Sequence, residues 1–128
     1  MLGVNHKSAP IDIREKLVFD KHSIPKALED IKNIEGVNEV VLISTCNRTE
    51  IYTENDIDNS KIIKWLSANQ NSVKDCEPFM YNYSEEKAIK HLFNVASGVD
   101  SMVIGENEIL GQVKDAFKIA DKNNCIKS

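Results

Sequence analysis

The stretch VNEVVLISTCNRTEIYT, residues 37–53, decides the fold class of this chain. Its first seven residues become continuously apolar toward residue 43, which predicts a strand that is buried at its end. Polar and apolar residues then alternate over residues 48–53, and this alternation predicts a second strand. Residues 44–47 are polar apart from Cys46, so we expect them to form the turn that joins the two strands.

The strands and helices predicted on either side of this hairpin give an order of elements that is typical of one fold class. Periodicity predicts further strands at residues 1–5 and 79–83, and helices at residues 11–19, 23–36, 61–69, 84–96 and 108–121. The resulting order is β-α-β-β-α-β followed by helices. It predicts an α+β ferredoxin-like sandwich, an antiparallel sheet with helices packed on one side, plus a C-terminal helix.

The composition is that of one ordinary globular domain. The chain has 128 residues, of which 41% are hydrophobic and 28% charged, and this balance excludes global disorder. No run approaches the roughly 18 apolar residues of a membrane span, and the first residues contain no signal-peptide core. Three cysteines, Cys46, Cys76 and Cys125, cannot all pair with one another, which favours reduced thiols. We expect a single cytoplasmic domain over residues 1–128, without a membrane partner.

The negative charge is concentrated in one segment. The net charge of −4 gives no sign of a global nucleic-acid surface, and residues 35–60 hold six acids with Arg48 as their one cation. A guanidinium is suited to holding a carboxylate or a phosphate, so Arg48 is a candidate ligand for an acidic group. Residues 1–34 have a small basic surplus, which fits either phosphate contacts or a solvated helix face.

Cys46 is a candidate nucleophile because of its neighbours. A cation nearby lowers the pKa of a thiol, and the thiolate is the reactive form. The alternative is a small buried core residue, but the polar Thr45 and Asn47 on either side favour the exposed tip of a turn. Cys76 lies between acids and Cys125 lies in a polar tail, so both are predicted to be inert.

Other residues that often carry chemistry give weaker signals. His91 lies at the edge of an apolar helix face, where its position alone indicates a boundary histidine with satisfied hydrogen bonds. No Cys/His pair has zinc-ligand spacing. The sequence contains neither GxGxxG nor GxxxxGK[ST], so it predicts no cradle for a nucleotide phosphate.

Three long blocks resemble one known family. They are GVNHKSAPIDIREKL, STCNRTEIY and HLFNVASGVDSMVIGENEILGQVKDAF, and in this order they resemble the N-terminal catalytic domain of glutamyl-tRNA reductase. The resemblance implies NADPH-dependent reduction of glutamyl-tRNA to glutamate-1-semialdehyde through a cysteine thioester, in tetrapyrrole biosynthesis. The family's NADPH-binding and dimerisation domains have no counterpart in the chain. We therefore expect it to be one domain of a longer enzyme and to lack reductase activity alone.

The resemblance also implies roles for individual residues. Cys46 would attack the ester carbonyl, Arg48 would bind the side-chain carboxylate of the glutamate, and His91 would be important for activity. The implied substrate contacts are Thr45, Asn47, Arg48, Ser101, Glu106, Asn107, Glu108 and Gln112. Many members have Glu-Pro-Gln at positions 106–108, so Glu108 adds a negative charge here; it either binds the substrate's ammonium group or faces solvent.

The family implies partners beyond the substrate as well. NADPH would be held by a domain outside this chain, and a C-terminal domain, also outside it, would form a homodimer. The product would pass to the aminomutase that uses glutamate-1-semialdehyde. Two other functions stay open at this point. One is a non-catalytic ferredoxin-like module that binds tRNA or a protein; the other is a stand-alone cysteine hydrolase with His91 or His6 as the base beside Cys46.

Overall fold

The computed structural model describes residues 1–45, 47–55, 59–69, 77–84, 88, 90–92 and 108–126. The strands are β1 (Leu2–Asn5), β2 (Val37–Ser44), β3 (Arg48–Asn55) and β4 (Tyr81–Asn82). The helices are α1 (Ile11–Leu17), α2 (Ile24–Lys32), α3 (Ser60–Asn69) and α4 (Glu108–Lys122), and a 3₁₀ turn, Glu77–Phe79, precedes β4. Residues 88 and 90–92 are also helical and are called the His91 segment below.

The sheet has the predicted architecture. Its strand order is β2-β3-β1-β4, and every neighbouring pair is antiparallel. The predicted hairpin is the β2–β3 pair, with Val41 opposite Tyr52 and Ser44 opposite Thr49. Strand β1 lies between β3 and β4, so the first strand of the chain is central. The α+β ferredoxin-like fold predicted from the sequence is confirmed.

One face of the sheet packs against helices. The Thr49 hydroxyl donates to the carbonyl of Leu17 at the end of α1, over 3.1 Å. The backbone N–H of Phe19 donates to the Ser44 hydroxyl, over 2.8 Å, and the Phe19 ring stacks on Trp65 of α3. These contacts place α1 and the segment after it on the face of β3 to which Thr49 points. The buried side chains of this core include Leu2, Val4, Leu17, Leu28, Ile31, Ile51, Ile62 and Leu66.

Helix α2 ends before Gly36, and this glycine makes the turn into β2. The helix predicted over residues 23–36 is shorter, Ile24–Lys32. Gly36 then adopts φ = 95°, in the left-handed region that other residues rarely enter, and β2 begins at the next residue. Ser23 precedes the helix as predicted, but its hydroxyl donates to the Asp20 carbonyl instead of capping the helix.

The C-terminal segment covers the outer edge of β2. The backbone N–H of Val40 donates to the carbonyl of Cys125 over 2.9 Å, and α4 contacts both β2 and α2. Cys125 is buried in the apolar core, so the predicted polar tail is corrected at this residue. Burial raises the pKa of the Cys125 thiol, which fits the predicted inertness. Covering an edge strand in this way prevents it from pairing with other chains.

Candidate functional site

The turn between β2 and β3 is held by Thr45. The backbone N–H of Thr45 donates to the carbonyl of Arg48 over 2.8 Å. The Thr45 hydroxyl accepts the backbone N–H groups of Asn47 and Arg48, each over 3.2 Å. The residues on both sides of position 46 are therefore held by one main-chain hydrogen bond and by two bonds to the Thr45 hydroxyl, whereas Cys46 itself lies outside the described residues.

Arg48 begins β3 and its side chain is buried. Its Nη1 atom lies 3.4 Å from Oε2 of Glu50, and 1% of the Arg48 side chain is exposed. The two residues share a face of the sheet because side chains alternate along a strand. This face is the one opposite α1, since Thr49 points to α1. The lone cation of the acidic segment is thus paired with an acid from the same segment.

Glu50 is the centre of a buried polar cluster. Its carboxylate also accepts the Tyr52 hydroxyl at 3.0 Å and the Tyr81 hydroxyl at 2.5 Å, and its Oε2 lies 2.5 Å from Nε2 of His91. The partners come from β3, from β4 and from the His91 segment. We call Arg48, Glu50, Tyr52, Tyr81 and His91 the Glu50 cluster. An acid with this many donors is stabilised as a carboxylate despite its burial.

The protonation of this cluster follows from its contacts. Burial by itself raises the pKa of Glu50, but the hydrogen bonds from His91 and Tyr81 and the charge of Arg48 outweigh it, and the pKa lies below its ordinary 4.5. Burial and the negative charge of Glu50 raise the pKa of Tyr81. At neutral pH, Glu50 is therefore ionised and Tyr81 is a phenol that donates to it.

The absence of a side chain at Gly3 leaves space for the Glu50 cluster. It lies opposite Glu50 in the β1–β3 pair and opposite Tyr81 in the β1–β4 pair. A Cβ atom at Gly3 would lie 2.8 Å from Cγ of Glu50 and 2.9 Å from the Tyr81 ring. The Tyr81 and Tyr83 rings each lie 5.2 Å from the His91 ring, centroid to centroid. Two tyrosine rings thus pack around the imidazole that reaches Glu50.

The structure brings some of the predicted site residues together. Thr45 and Asn47 form the turn that leads into Arg48, and Arg48 and His91 meet at Glu50. His91 is buried and its hydrogen bond to Glu50 fits the satisfied boundary histidine indicated by its position alone, although Glu50 was not predicted as the partner. Gln112 is exposed on α4. The predictions for Cys46, Ser101, Glu106, Asn107 and the Glu108 side chain lie outside the described residues.

Sequence reasoning missed Glu50, Tyr52 and Tyr81. The available signal was the spacing of Arg48, Glu50 and Tyr52, two residues apart on one strand, which places opposite charges and a phenol on one face. Tyr81 is 31 residues from Glu50 and His91 is 41 residues away, so no local pattern connects them with it.

The described parts of the chain contain neither a metal-binding cluster nor a membrane-spanning helix. No group of three or more His, Cys, Asp or Glu side chains could hold a metal ion. No helix there combines the length and the apolar character that crossing a membrane requires.

The fold and the site together define a class of protein, a ferredoxin-like α+β domain with a buried ionic cluster on the strand that follows a hairpin turn. The family model described as the N-terminal domain of glutamyl-tRNAGlu reductase matches residues 2–128. The chain belongs to this family.

Individual relatives agree with the family match. A glutamyl-tRNA reductase of Xylella fastidiosa (strain M12) is 43% identical over 120 residues, and one of Xanthomonas oryzae pv. oryzae (strain PXO99A) is 42% identical over 128 residues. These matches cover 94% and 100% of this chain but 27% and 29% of the relatives. The solved structure of glutamyl-tRNA reductase from Methanopyrus kandleri matches 99% of this chain and 29% of its own, with a TM-score of 0.79 and 31% identity. The chain thus spans less than a third of the length of these relatives.

Proposed function

We propose that this chain is the part of a glutamyl-tRNA reductase that takes the glutamyl group from glutamyl-tRNA onto Cys46 as a thioester, for tetrapyrrole biosynthesis. The observation that carries the proposal is the hairpin turn. Thr45 fixes the main chain on both sides of position 46, and the turn leads directly into a buried arginine. Hydrogen bonds that hold the residues beside a nucleophile reduce the freedom that is lost when it reacts.

The proposed step is an acyl transfer. The thiolate sulfur of Cys46 attacks the carbonyl carbon of the ester, and a carbon–sulfur bond replaces the carbon–oxygen bond to the ribose. The ribose oxygen leaves and takes up a proton, which frees the tRNA. The guanidinium of Arg48, two residues from the thiol in sequence, favours the thiolate form.

Arg48 is proposed to bind the side-chain carboxylate of the glutamyl group. Guanidinium carries several N–H donors, so a bond to Glu50 and a bond to a substrate carboxylate are compatible. Because 1% of the Arg48 side chain is exposed, the groups that cover it must move when the substrate binds. Thr45, Asn47, Ser101, Glu106, Asn107, Glu108 and Gln112 are proposed as further substrate contacts.

His91 is proposed to act as a positioning residue. Its Nε2 atom lies 2.5 Å from Glu50, and Glu50 in turn contacts Nη1 of Arg48. Loss of the imidazole would therefore disturb the orientation of Arg48 through the shared carboxylate.

The reducing half of the reaction is assigned outside this chain. NADPH would supply the hydride that releases the aldehyde, but the sequence has no glycine-rich phosphate cradle that fits a dinucleotide. We propose that another domain holds NADPH and that this chain alone does not reduce the thioester. A homodimer, hand-over of the product to an aminomutase and a cytoplasmic location belong to the same proposal.

Labelling of the protein tests the acyl transfer. The chain is mixed with glutamyl-tRNA that carries a radioactive glutamate, and acid-stable label on the protein is counted. We expect label on the wild-type chain and on the matched control Cys76→Ser, but none on Cys46→Ser. Wild-type protein that binds the tRNA without acquiring label would instead indicate a non-catalytic binding module.

A further inference from the structure

One oxygen of the Glu50 carboxylate has three close partners. Its Oε2 atom lies 2.5 Å from the Tyr81 hydroxyl, 2.5 Å from Nε2 of His91 and 3.4 Å from Nη1 of Arg48. The other oxygen, Oε1, accepts the Tyr52 hydroxyl over 3.0 Å. Of these four contacts, the one to the permanently charged guanidinium is the longest.

A separation of 3.4 Å is long for a buried ion pair. Hydrogen bonds between arginine and a carboxylate are usually about 2.7–2.9 Å long and often come in parallel pairs. The side chains of Arg48 and Glu50 are 1% and 0% exposed, so water screens their attraction little. Burial therefore favours a close pair, and another interaction must keep the two groups apart.

The two shorter contacts account for this separation. An ionised carboxylate oxygen has two lone pairs and only accepts hydrogen bonds. Tyr81 and His91 lie close enough to Oε2 to use both lone pairs. The guanidinium of Arg48 is then a third donor at the same atom, and its contact is the weakest of the three.

The sheet holds Tyr81 in this position. Gly3 of β1 pairs with Glu50 on one side and with Tyr81 on the other. A Cβ atom at Gly3 would lie 2.8 Å from Cγ of Glu50 and 2.9 Å from the Tyr81 ring, so a larger residue would stand between the phenol and the carboxylate. Strand pairing across Gly3, rather than a contact with Arg48, thus places the Tyr81 hydroxyl on Oε2.

The long contact matters when a second carboxylate approaches Arg48. A guanidinium in close contact with Glu50 has its charge largely neutralised, and it attracts another carboxylate only weakly. A guanidinium that Glu50 orients without close pairing keeps more of its attraction for an incoming acid. The donors on Oε2 therefore affect how Arg48 binds, although they do not touch its ligand.

We propose that Tyr81 is a positioning residue that sets how strongly the site binds the glutamyl side chain, because its hydroxyl occupies the Glu50 oxygen with which Arg48 would otherwise pair closely. This inference rests on the role of Arg48 as the ligand of the substrate carboxylate, proposed above. Glu50 keeps the guanidinium in place, and Tyr81 leaves its charge available to the substrate.

The first test measures the rate of Cys46 labelling against the concentration of glutamyl-tRNA. Tyr81→Phe removes one donor from Oε2, and Nη1 of Arg48 moves closer to the vacant lone pair. We expect the half-saturating concentration to rise about three- to tenfold and the rate at saturation to stay unchanged. Tyr83→Phe is the matched control and should change half-saturation by less than about twofold, because its ring packs on Tyr81 and His91 while its hydroxyl is not among the described groups bonded to Glu50. A lower rate at saturation with unchanged half-saturation would overturn the proposal.

A neutral side chain on the substrate separates an effect through Arg48 from a general effect on the fold. In a Cys46→Ser background, where no thioester forms, dissociation constants are measured for one tRNA charged with glutamate and for the same tRNA charged with glutamine. The glutamine constant divided by the glutamate constant gives the preference for the side-chain carboxylate. We expect Tyr81→Phe to weaken binding of the glutamate form about three- to tenfold and to leave the glutamine form unchanged, so the preference falls. Tyr52→Phe removes a donor from Oε1 instead and should lower the preference less.

The remaining outcomes count against the proposal in different ways. An equal loss of affinity for both forms of the tRNA would overturn it, since Tyr81 would then act only on the fold. An unchanged preference in Tyr81→Phe, or an equal fall in Tyr81→Phe and Tyr52→Phe, would overturn it as well. A preference near one with Tyr81 intact would remove Arg48 as the carboxylate ligand, and label on Cys46 of the wild type would show that the acyl transfer still stands.

Discussion

The two faces of β3 are both buried, but by different means. Ile51 points to the α1 side, where it belongs to the apolar core with Leu2 and Leu17. Glu50, the residue before it, points to the opposite side and is surrounded by hydrogen-bond donors. One strand therefore contributes apolar burial on one face and a buried charge on the other.

This difference determines how each face responds to substitution. Apolar contacts are many and individually weak, so the loss of a few methylene groups reduces stability in proportion to what is removed. Charged partners depend on one another, since removal of one leaves the other buried and uncompensated. The α1 side should therefore tolerate graded change without loss of chemistry, and the Glu50 cluster should not.

The largest effect is expected for Glu50→Ala. This change leaves the Arg48 guanidinium buried without the Glu50 carboxylate and should lower the free energy of unfolding by about 3–5 kcal/mol. Urea unfolding followed by circular dichroism measures the loss. Labelling of Cys46 should also fall, because Arg48 is no longer oriented.

A double variant distinguishes the effect of leaving Arg48 without its charged partner from the effect of removing side-chain volume. Arg48→Met combined with Glu50→Leu removes both charges and fills the space, so it should recover part of the stability lost in Glu50→Ala. It should not recover labelling of Cys46, since no guanidinium remains. A double variant less stable than Glu50→Ala would show that charge pairing is not what the cluster contributes.

On the other face, Ile51→Ala should cost about 2–5 kcal/mol through lost burial and a residual cavity. Ile51→Val is the graded control and should cost about 0.5–1.5 kcal/mol. At a temperature where both variants are folded, each should label at Cys46 at the wild-type rate. A labelling defect in folded Ile51→Val would contradict the separation of the two faces.

Substitution of two glycines by alanine is expected to change the free energy of unfolding in opposite directions. Gly3→Ala puts a methyl group within 3 Å of Glu50 and the Tyr81 ring, and we expect a loss of about 1–3 kcal/mol. Gly111→Ala, inside α4, meets no atom of the described residues within 4 Å and should gain about 0.5–1 kcal/mol from helix propensity. Thermal unfolding of the two variants measures both shifts. A stabilising Gly3→Ala would show that Glu50 and Tyr81 move aside easily.

Much of the fold was predictable because its signals are local. The β2–β3 hairpin follows from the apolar run before residue 44 and the alternation after residue 47, and the structure pairs Ser44 with Thr49 as that pattern requires. The glycine predicted to end the helix is only partly a local signal: Gly36 adopts a positive φ just before β2, but α2 ends four residues earlier, at Lys32. The order of the strands then follows from the small number of ways to join these elements.

The Glu50 cluster was not predictable by the same reasoning. Alternation on an antiparallel strand normally places its polar residues in solvent, so Glu50 is expected to be exposed. It is buried because Tyr81 and His91, distant in sequence, cover that face. Likewise, Cys125 follows polar residues but is buried because its carbonyl bonds to Val40 at the edge of β2. Residue types and neighbours made Cys46 a candidate nucleophile and Arg48 a candidate ligand for an acidic group. The particular substrate proposed for them comes from the family resemblance.

The effect most specific to the cluster is expected for Tyr81→Phe. This change removes one donor to Glu50 and should cost about 1–2 kcal/mol at neutral pH. The folded-state pKa of Glu50 lies below 4.5, so its ionisation stabilises the protein above that pH, and this contribution is lost as pH falls through the folded-state value. Removal of the Tyr81 hydroxyl raises the folded-state pKa and reduces the contribution.

The stability gap between wild type and Tyr81→Phe should therefore be widest near neutral pH and should narrow as the pH falls below about 4.5. Urea unfolding at several pH values from about 7 to about 3 measures the gap. Tyr83→Phe is the matched control, because its ring stacks on Tyr81 while its hydroxyl is not among the described groups bonded to Glu50. A gap for Tyr81→Phe that does not change with pH would mean that the hydroxyl acts by packing, and that the ionisation of Glu50 does not distinguish this face from the apolar one.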